Sequence, residues 1–358
     1  METRQVRPVC TPRAALIIAG GSGSRFWPLS RVQRPKPLFK LDGKATLLAE
    51  TIRRHQPLIA PEHIFVIAPA SLEHVFRRAI RGLVPAKNLI IEPRARGTTV
   101  AIAYGCAQIT RRLGESVIVV APADHYLAPA SAFRATLRAA LKLAVAQQAI
   151  VLIGITPSAP DTGYGYLKMG QPVGGGFEVA RFVEKPDLAA AERMLREGGF
   201  LWNAGIFVMH ARALESALQA CCPALPVALE RISQAASGKA RALFSKLRFD
   251  SFDYAVLEKS SRLLAVRARF KWHDVGSWEG LWKVTRGKQD NALRGNVLSF
   301  DTRGVIAHSP RRLMVLVSVE DLIAVDAGDA ILIARRSRSE QVRKVVDELK
   351  RRKLEGYL

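Results

Sequence analysis

The stretch from Ala14 to Leu38, AALIIAGGSGSRFWPLSRVQRPKPL, constrains this chain more than any other. It opens with an apolar run, Ala14 to Ala19, of the length and texture of a buried strand. The run stops at Gly20-Gly21-Ser22-Gly23-Ser24-Arg25, three glycines in four positions followed by a cation. Gly20, Gly21 and Gly23 let backbone approach a ligand closely and admit positive φ. Successive N–H groups in such a loop form a concave nest for oxyanions, and Arg25 and Lys36 add positive charge. A phosphate-bearing ligand is the natural guest. Two familiar phosphate loops are excluded by spacing. A Walker A loop needs Gly-Lys-Ser/Thr after four intervening residues, and a dinucleotide fingerprint starting at Gly21 would need glycine where Phe26 stands.

Downstream, apolar runs at 63–68, 88–91, 116–121 and 150–155 alternate with helical spacing, for example Ala101, Ile102, Tyr104 and Ala107. That alternation predicts an α/β fold whose mostly parallel sheet is covered on both faces. Ligands bind such sheets beyond the carboxyl ends of the strands, where the glycine loop, Glu92, Arg96 and Asp124 all fall. Asp124 has two readings at this point. It is a turn or helix cap, the usual task of aspartate there, or a hard oxygen ligand for Mg²⁺. Asp253, ahead of a helical pattern, reads as a cap. His125 has no second histidine or cysteine at zinc-ligand spacing, so it reads as a structural or polar contact. Trp272 and Trp278 read as core aromatics.

The stretch GGSGSRFWPLSR followed by RPKPL resembles the signature of the sugar-1-phosphate nucleotidylyltransferases. Its Phe-Trp-Pro-Leu-Ser version is similar to the mannose-1-phosphate guanylyltransferase branch. The resemblance implies that Gly20, Gly21 and Gly23 cradle a nucleoside triphosphate, while Arg25 and Lys36 hold its β- and γ-phosphates. Pro122-Ala123-Asp124-His125 resembles the family's metal segment, which assigns Asp124 to Mg²⁺; Asp274, in Trp272-His273-Asp274-Val275-Gly276, would share that metal. The segment Glu92 to Thr99 resembles the base-recognition loop, with Thr98 as a nucleotide contact and Gly97 where asparagine is common. His273 stands where small residues are frequent. Gly165, Glu184, Lys185, Asn203 and Gly205 fall on the motifs that hold the sugar phosphate. The implied reaction is GTP plus α-D-mannose 1-phosphate giving GDP-mannose and pyrophosphate.

After Asp290 the texture changes to short apolar runs separated by turns, which predicts a small β-domain and resembles a short left-handed β-helix. A basic amphipathic helix follows from Ser339 to Leu354, with Val342, Val345, Val346 and Leu349 at helical spacing. The expected organisation is a Rossmann-like nucleotidyltransferase domain over 1–290 and a β-helix-like domain over 291–358. The appendage carries no catalytic constellation, so packing or self-association as a homodimer is its expected task. The resemblance runs from about Ala14 to Lys350.

Composition bounds the rest. No apolar stretch approaches the ~18 residues of a membrane span, and no apolar core stands ahead of the first strand as in a signal peptide. Cys10, Cys106, Cys221 and Cys222 show neither CxxC spacing nor a disulfide framework, which suits a cytoplasmic enzyme. The chain has 54 Lys and Arg against 31 Asp and Glu, a net charge of +23. That excess suits attraction of small polyanions or of nucleic acid. The basic residues are scattered in pairs without interleaved aromatics, which argues against a nucleic-acid face. Alternatives to the implied reaction are UTP or dTTP with glucose 1-phosphate, and a non-catalytic sugar-nucleotide sensor.

Overall fold

The computed structural model describes residues 11–21, 23–40, 45–287 and 290–358; Cys10 and Ser22 lie outside them. The chain divides into two compact units. The first comprises the described residues up to Ile18 together with 52–122 and 128–270, and the second 19–51, 123–127 and 271–358.

The first unit is built on nine strands. They are β1 (Arg13–Ile18), β2 (Ile64–Pro69), β3 (Leu89–Glu92) and β4 (Val117–Pro122), then, after β5 (Tyr126–Ala128), β6 (Ile150–Ile155), β7 (Tyr166–Val173), β8 (Gly176–Val183), β9 (Phe200–His210) and β10 (Leu263–Arg267). Their order is β3-β2-β1-β4-β9-β6-β10-β8-β7. The block β3-β2-β1-β4 is parallel throughout, as expected. Its strands are apolar along their whole length because helices such as Thr98–Leu113 cover the sheet: Ala14 to Ile17 and Val117 to Val120 are at most 1% exposed.

Beyond β4 the sheet is mixed rather than mostly parallel. β9 runs antiparallel to β4, β6 and β7, and β8 is antiparallel to both β7 and β10. The physical reason is local. Gly174 and Gly175 both take positive φ and close β7 directly onto β8, which a parallel pair could not do. The pairing of β6 with β9 is irregular between Leu152 and Gly154, and the extra residues on β9 include Gly205 at φ 65°. This bulge lies beside Asn203.

The second unit holds the glycine loop, β5, β11 (Lys271–His273), β12 (Ala292–Phe300), β13 (Ile306–Val317), β14 (Leu322–Asp326) and β15 (Ile331–Arg335), Ala128 of β5 apart. Ala292 pairs with Ile306 and Phe300 with Val317, all in parallel, so β12 and β13 are successive layers of a coil. β14 continues it in parallel and β15 closes it antiparallel. The β-helix expectation is borne out. The terminal helix spans Val342–Arg351.

Phe26 and Trp27 from the glycine loop share one buried core with Trp278, Trp282, Ile323 and Val342. That explains the Phe-Trp of the motif: both rings anchor the loop onto the β-rich end of the chain. Trp278 is a core aromatic, as expected, 1% exposed and donating to the Trp27 carbonyl at 3.3 Å. Among the described residues no helix is long and apolar enough to cross a membrane.

Candidate active site

β1 feeds straight into the glycine loop, whose Gly23 is held in place by crowding. At φ 57°, an added Cβ would lie 2.8 Å from both the Lys36 Cβ and the Ser30 Oγ, so only glycine fits. The turn closes with the Phe26 N–H on the Gly23 carbonyl at 2.8 Å, and Ser24–Phe26 form a short 3₁₀ helix.

Lys36 is buried and gathers the motif residues of this unit. Its Nζ lies 2.8 Å from Asp124 Oδ2, donates to the Asp274 carbonyl at 2.9 Å and stands 5.6 Å from the Phe26 ring centroid. Asp124 therefore engages a cation and is not a cap. Arg25 donates to the Gly276 carbonyl at 3.3 Å and forms a 3.0 Å ion pair with Glu340. Both partners of that pair are largely exposed, so it is worth little and Arg25 is free to exchange it for phosphate.

Asp124 and Asp274 line one cavity of about 520 Å³ together with Gly23, Arg25 and Lys36. Burial would raise the Asp274 carboxyl, but His273, His125 and Lys36 outweigh it and hold the group below the usual carboxylate range. Its Oδ1 accepts the Gly276 N–H at 3.2 Å. Trp272 donates to His125 Nδ1 at 3.2 Å, ring edge against ring face, so His125 is a polar contact as expected.

Two carboxylates with no thiolate beside them are a hard donor set. Among the described residues no group of three or more His, Cys, Asp and Glu forms a metal cage. The set suits a divalent cation that completes its shell with phosphate oxygens and water.

The base-loop residues lie in the first unit. Gly97 takes φ 89° and ψ 170° ahead of the helix Thr98–Leu113, a conformation reserved for glycine, so asparagine would be strained there. Thr98 Oγ1 accepts the Phe252 N–H at 2.9 Å, and Thr99 donates to the Asp250 carbonyl at 2.5 Å. Both hydroxyls thus tie the loop to the segment 250–252.

Glu92 is buried and accepts the Arg96 N–H at 3.1 Å; burial pushes its carboxyl up to about 7, against the opposing pull of Arg96. Between the ordinary carboxyl value of 4.5 and about 7 the folded protein holds a proton that the unfolded chain has lost. Stability at this group therefore falls as pH rises through that window. Glu92→Gln is expected to remove this dependence. Urea denaturation of both proteins from pH 5 to pH 8 should show the variant gaining on the wild type by up to about 3 kcal/mol. Parallel curves would refute the assignment.

The sugar-motif residues also come together in the first unit. Glu184, at the end of β8, is buried; Oε1 pairs with Lys185 Nζ at 2.9 Å, while Oε2 is buried without a hydrogen-bond partner. The pair is therefore not an ordinary surface bridge. Burial first, and then the Asp253 charge, raise the Glu184 carboxyl. Gly165 exposes its backbone beside Oε2, and the Asn203 N–H donates to the Gly165 carbonyl at 2.8 Å. Asn203 Oδ1 accepts the Gly205 N–H at 3.0 Å, and its Nδ2 donates to Asp253 Oδ1 at 2.8 Å.

Asp253 corrects the sequence reading. The cap position of the helix Phe252–Ala255 is Ser251, and Asp253 lies inside the helix with its carboxylate on Asn203. It is a member of this cluster that local pattern did not reveal. Tyr164 packs against Trp202 in a tilted arrangement, with ring centroids 5.2 Å apart.

Comparison with known proteins accords with the resemblance carried by GGSGSRFWPLSR. The nucleotidyl transferase family model matches residues 14–291, and a mannoseP isomerase/GMP-like β-helix domain matches 295–349. The xanthan biosynthesis protein XanB of Xanthomonas campestris pv. campestris is 37% identical over 348 residues, 94% of this chain and 73% of its own. A mannose-1-phosphate guanylyltransferase of Klebsiella pneumoniae is 34% identical, covering 96% of this chain and 75% of its own. A Thermus thermophilus crystal structure, described as a mannose-1-phosphate geranyltransferase, superposes with a TM-score of 0.87 at 33% identity. It covers 94% of this chain and 99% of that one. The chain belongs to the nucleotidyl transferase family, among relatives that carry the name mannose-1-phosphate guanylyltransferase.

Proposed function

We propose that this chain transfers a guanylyl group from GTP to α-D-mannose 1-phosphate, giving GDP-mannose and pyrophosphate. The observation that carries the reading is Lys36, whose ammonium joins the Asp124 carboxylate to the Asp274 backbone beside the glycine loop. The names of the relatives supply the base and the sugar.

In this reaction a phosphate oxygen of mannose 1-phosphate attacks the α-phosphorus of GTP. The new P–O bond forms as the bond to the bridging α–β oxygen breaks, and its electron pair leaves with pyrophosphate. No covalent nucleophile is required, so catalysis rests on positioning and charge stabilisation. Backbone N–H groups around Gly20, Gly21 and Gly23 would cradle the triphosphate, with Thr98 contacting the nucleotide. Arg25 and Lys36 would stabilise charge on the departing pyrophosphate. Lys36 would exchange its contact with Asp124 for phosphate, and Asp124 and Asp274 are the residues that would hold Mg²⁺. Bound there, Mg²⁺ would neutralise phosphate charge and polarise the α-phosphorus.

Glu184 Oε2 offers a desolvated acceptor to a sugar hydroxyl, which would relieve its missing hydrogen bond. Lys185 supplies charge to the sugar phosphate, and Asn203 with Gly165 and Gly205 shapes the space for the ring.

Pyrophosphate release with mannose 1-phosphate and Mg²⁺ tests this reading, comparing GTP, ATP, UTP and dTTP. Preference for GTP is expected. Preference for UTP or dTTP would keep the mechanism and overturn the base, and no release with any of the four would overturn the activity.

A catalytic domain over 1–290, a β-helix-like domain over 291–358 and a cytoplasmic location belong to the same reading. Free thiols at Cys106, Cys221 and Cys222 support that location. Self-association would use the β-helix, where Leu298 pairs with Val315 and Phe300 with Val317, each at least 49% exposed. Such an apolar face marks a contact surface. Val317→Asp is expected to convert a dimer to a monomer in analytical ultracentrifugation; a wild type already monomeric at micromolar concentration would refute the placement.

A further inference from the structure

The cavity that holds Lys36, Asp124 and Asp274 has a wall that the nucleotide motifs do not account for. Arg343 and Lys350 of the helix Val342–Arg351 line it, with Asp347 between them. These positions recur at four and three residues, so they share one helix face, and the two cations stand two turns, about 10 Å, apart along the axis.

The adjoining apolar face fixes the helix. Val342 is 3% exposed, and Val345, Val346 and Leu349 pack onto the core that contains Phe26 and Trp27. Two further ties hold the region near the loop. Trp27 Nε1 donates to the Tyr357 carbonyl at 2.8 Å, and Arg31 forms a bidentate pair with Asp329 at 2.6 and 2.8 Å. The wall is therefore a packed part of the site and not a loose tail.

The charges on this cavity are unequally satisfied. Arg25 has Glu340, Arg31 has Asp329 and Lys36 has Asp124. Among the described residues no side chain forms an ion pair or hydrogen bond with Arg343 or Lys350. Two unpaired cations aimed at a polar cavity await an anion with several charges spread over about 10 Å. A polyphosphate chain has that length and charge.

We propose that Arg343 and Lys350 bind the polyphosphate end of the nucleoside triphosphate, and afterwards the pyrophosphate, making the terminal helix part of the nucleotide site. The inference rests on the reading of this cavity as the triphosphate site. It extends that reading to residues outside the glycine-loop and carboxylate motifs.

Isothermal titration of inorganic pyrophosphate in MgCl₂ onto the full chain tests it, beside steady-state kinetics. Arg343→Ala/Lys350→Ala is expected to weaken pyrophosphate binding at least tenfold and to raise KM for GTP similarly. KM for mannose 1-phosphate should move less than twofold. Lys344→Ala removes a charge from the same helix off the cavity face and is expected to leave both affinities within twofold. Equal weakening in Lys344→Ala would reduce the effect to net charge and overturn the proposal. Unchanged binding in the double variant would overturn it outright. A folded wild type that binds no pyrophosphate would instead overturn the triphosphate reading of the cavity, and the inference with it.

Discussion

Lys36→Ala is expected to lower kcat for pyrophosphate release by about 10²- to 10³-fold while the protein stays folded. Lys36 is only 6% exposed, so water cannot readily replace its charge at the leaving group. It also holds two motif segments at once, Asp124 and the backbone of Asp274. Its removal takes away a catalytic charge and leaves Asp124 without its ion-pair partner. Asp124 is only half-buried, so solvent can reach it, and the cost to the fold should stay within about 1–3 kcal/mol. Lys36→Arg is expected to fail as well, because a planar fork cannot occupy a site shaped for a point charge. Steady-state rates with a thermal melt on each variant separate chemistry from folding. A Lys36→Ala enzyme within threefold of wild-type kcat would remove Lys36 from the mechanism.

Gly165→Ala is expected to raise KM for mannose 1-phosphate at least tenfold and to leave KM for GTP nearly unchanged. A Cβ at this position would run into Glu184 Oε2, with Phe182 Cζ at 3.1 Å and the Asn203 Cβ at 3.4 Å. Glu184 cannot swing away freely, since its other oxygen is engaged by Lys185 at 2.9 Å. The methyl group would displace a buried acceptor that has no hydrogen-bond partner of its own. Overpacking of this kind costs about 1–3 kcal/mol, so a lower melting temperature should accompany the kinetic change. Equal KM values for the sugar phosphate in variant and wild type would show that the sugar lies elsewhere.

Much of this arrangement is legible in the residues themselves. The runs Ala14 to Ala19 and 116–121 announce strands covered on both faces, and both become neighbouring strands with partners on either side. Gly23 reads as obligatory, and it is, through positive φ and crowding by Lys36 and Ser30. What escapes the sequence is whatever depends on distant partners. Asp253 sits in a stretch that reads locally as a helix start, and only the approach of Asn203, fifty residues earlier, turns it into a site residue. The direction of β9 is equally silent: an apolar strand looks the same whether its neighbours run with it or against it. Arg343 and Lys350 belong to a helix that reads as plain amphipathic surface, because the cavity they line is assembled from segments far apart in the chain.

The shared core of the glycine loop and the terminal helix has a consequence for how this protein is made. Phe26 and Trp27 are translated about 300 residues before Ile323, Val325 and Val342, which share their buried core. At roughly 5–20 residues per second the delay is on the order of tens of seconds. During it the two rings are covered in stages, first by Phe39 and Leu47 and then by Trp278 and Trp282. The nine-stranded sheet needs nothing beyond Arg267 and can form while synthesis continues. The core around the glycine loop is complete only once Val342 is made, so the larger core of the sheet can form before it.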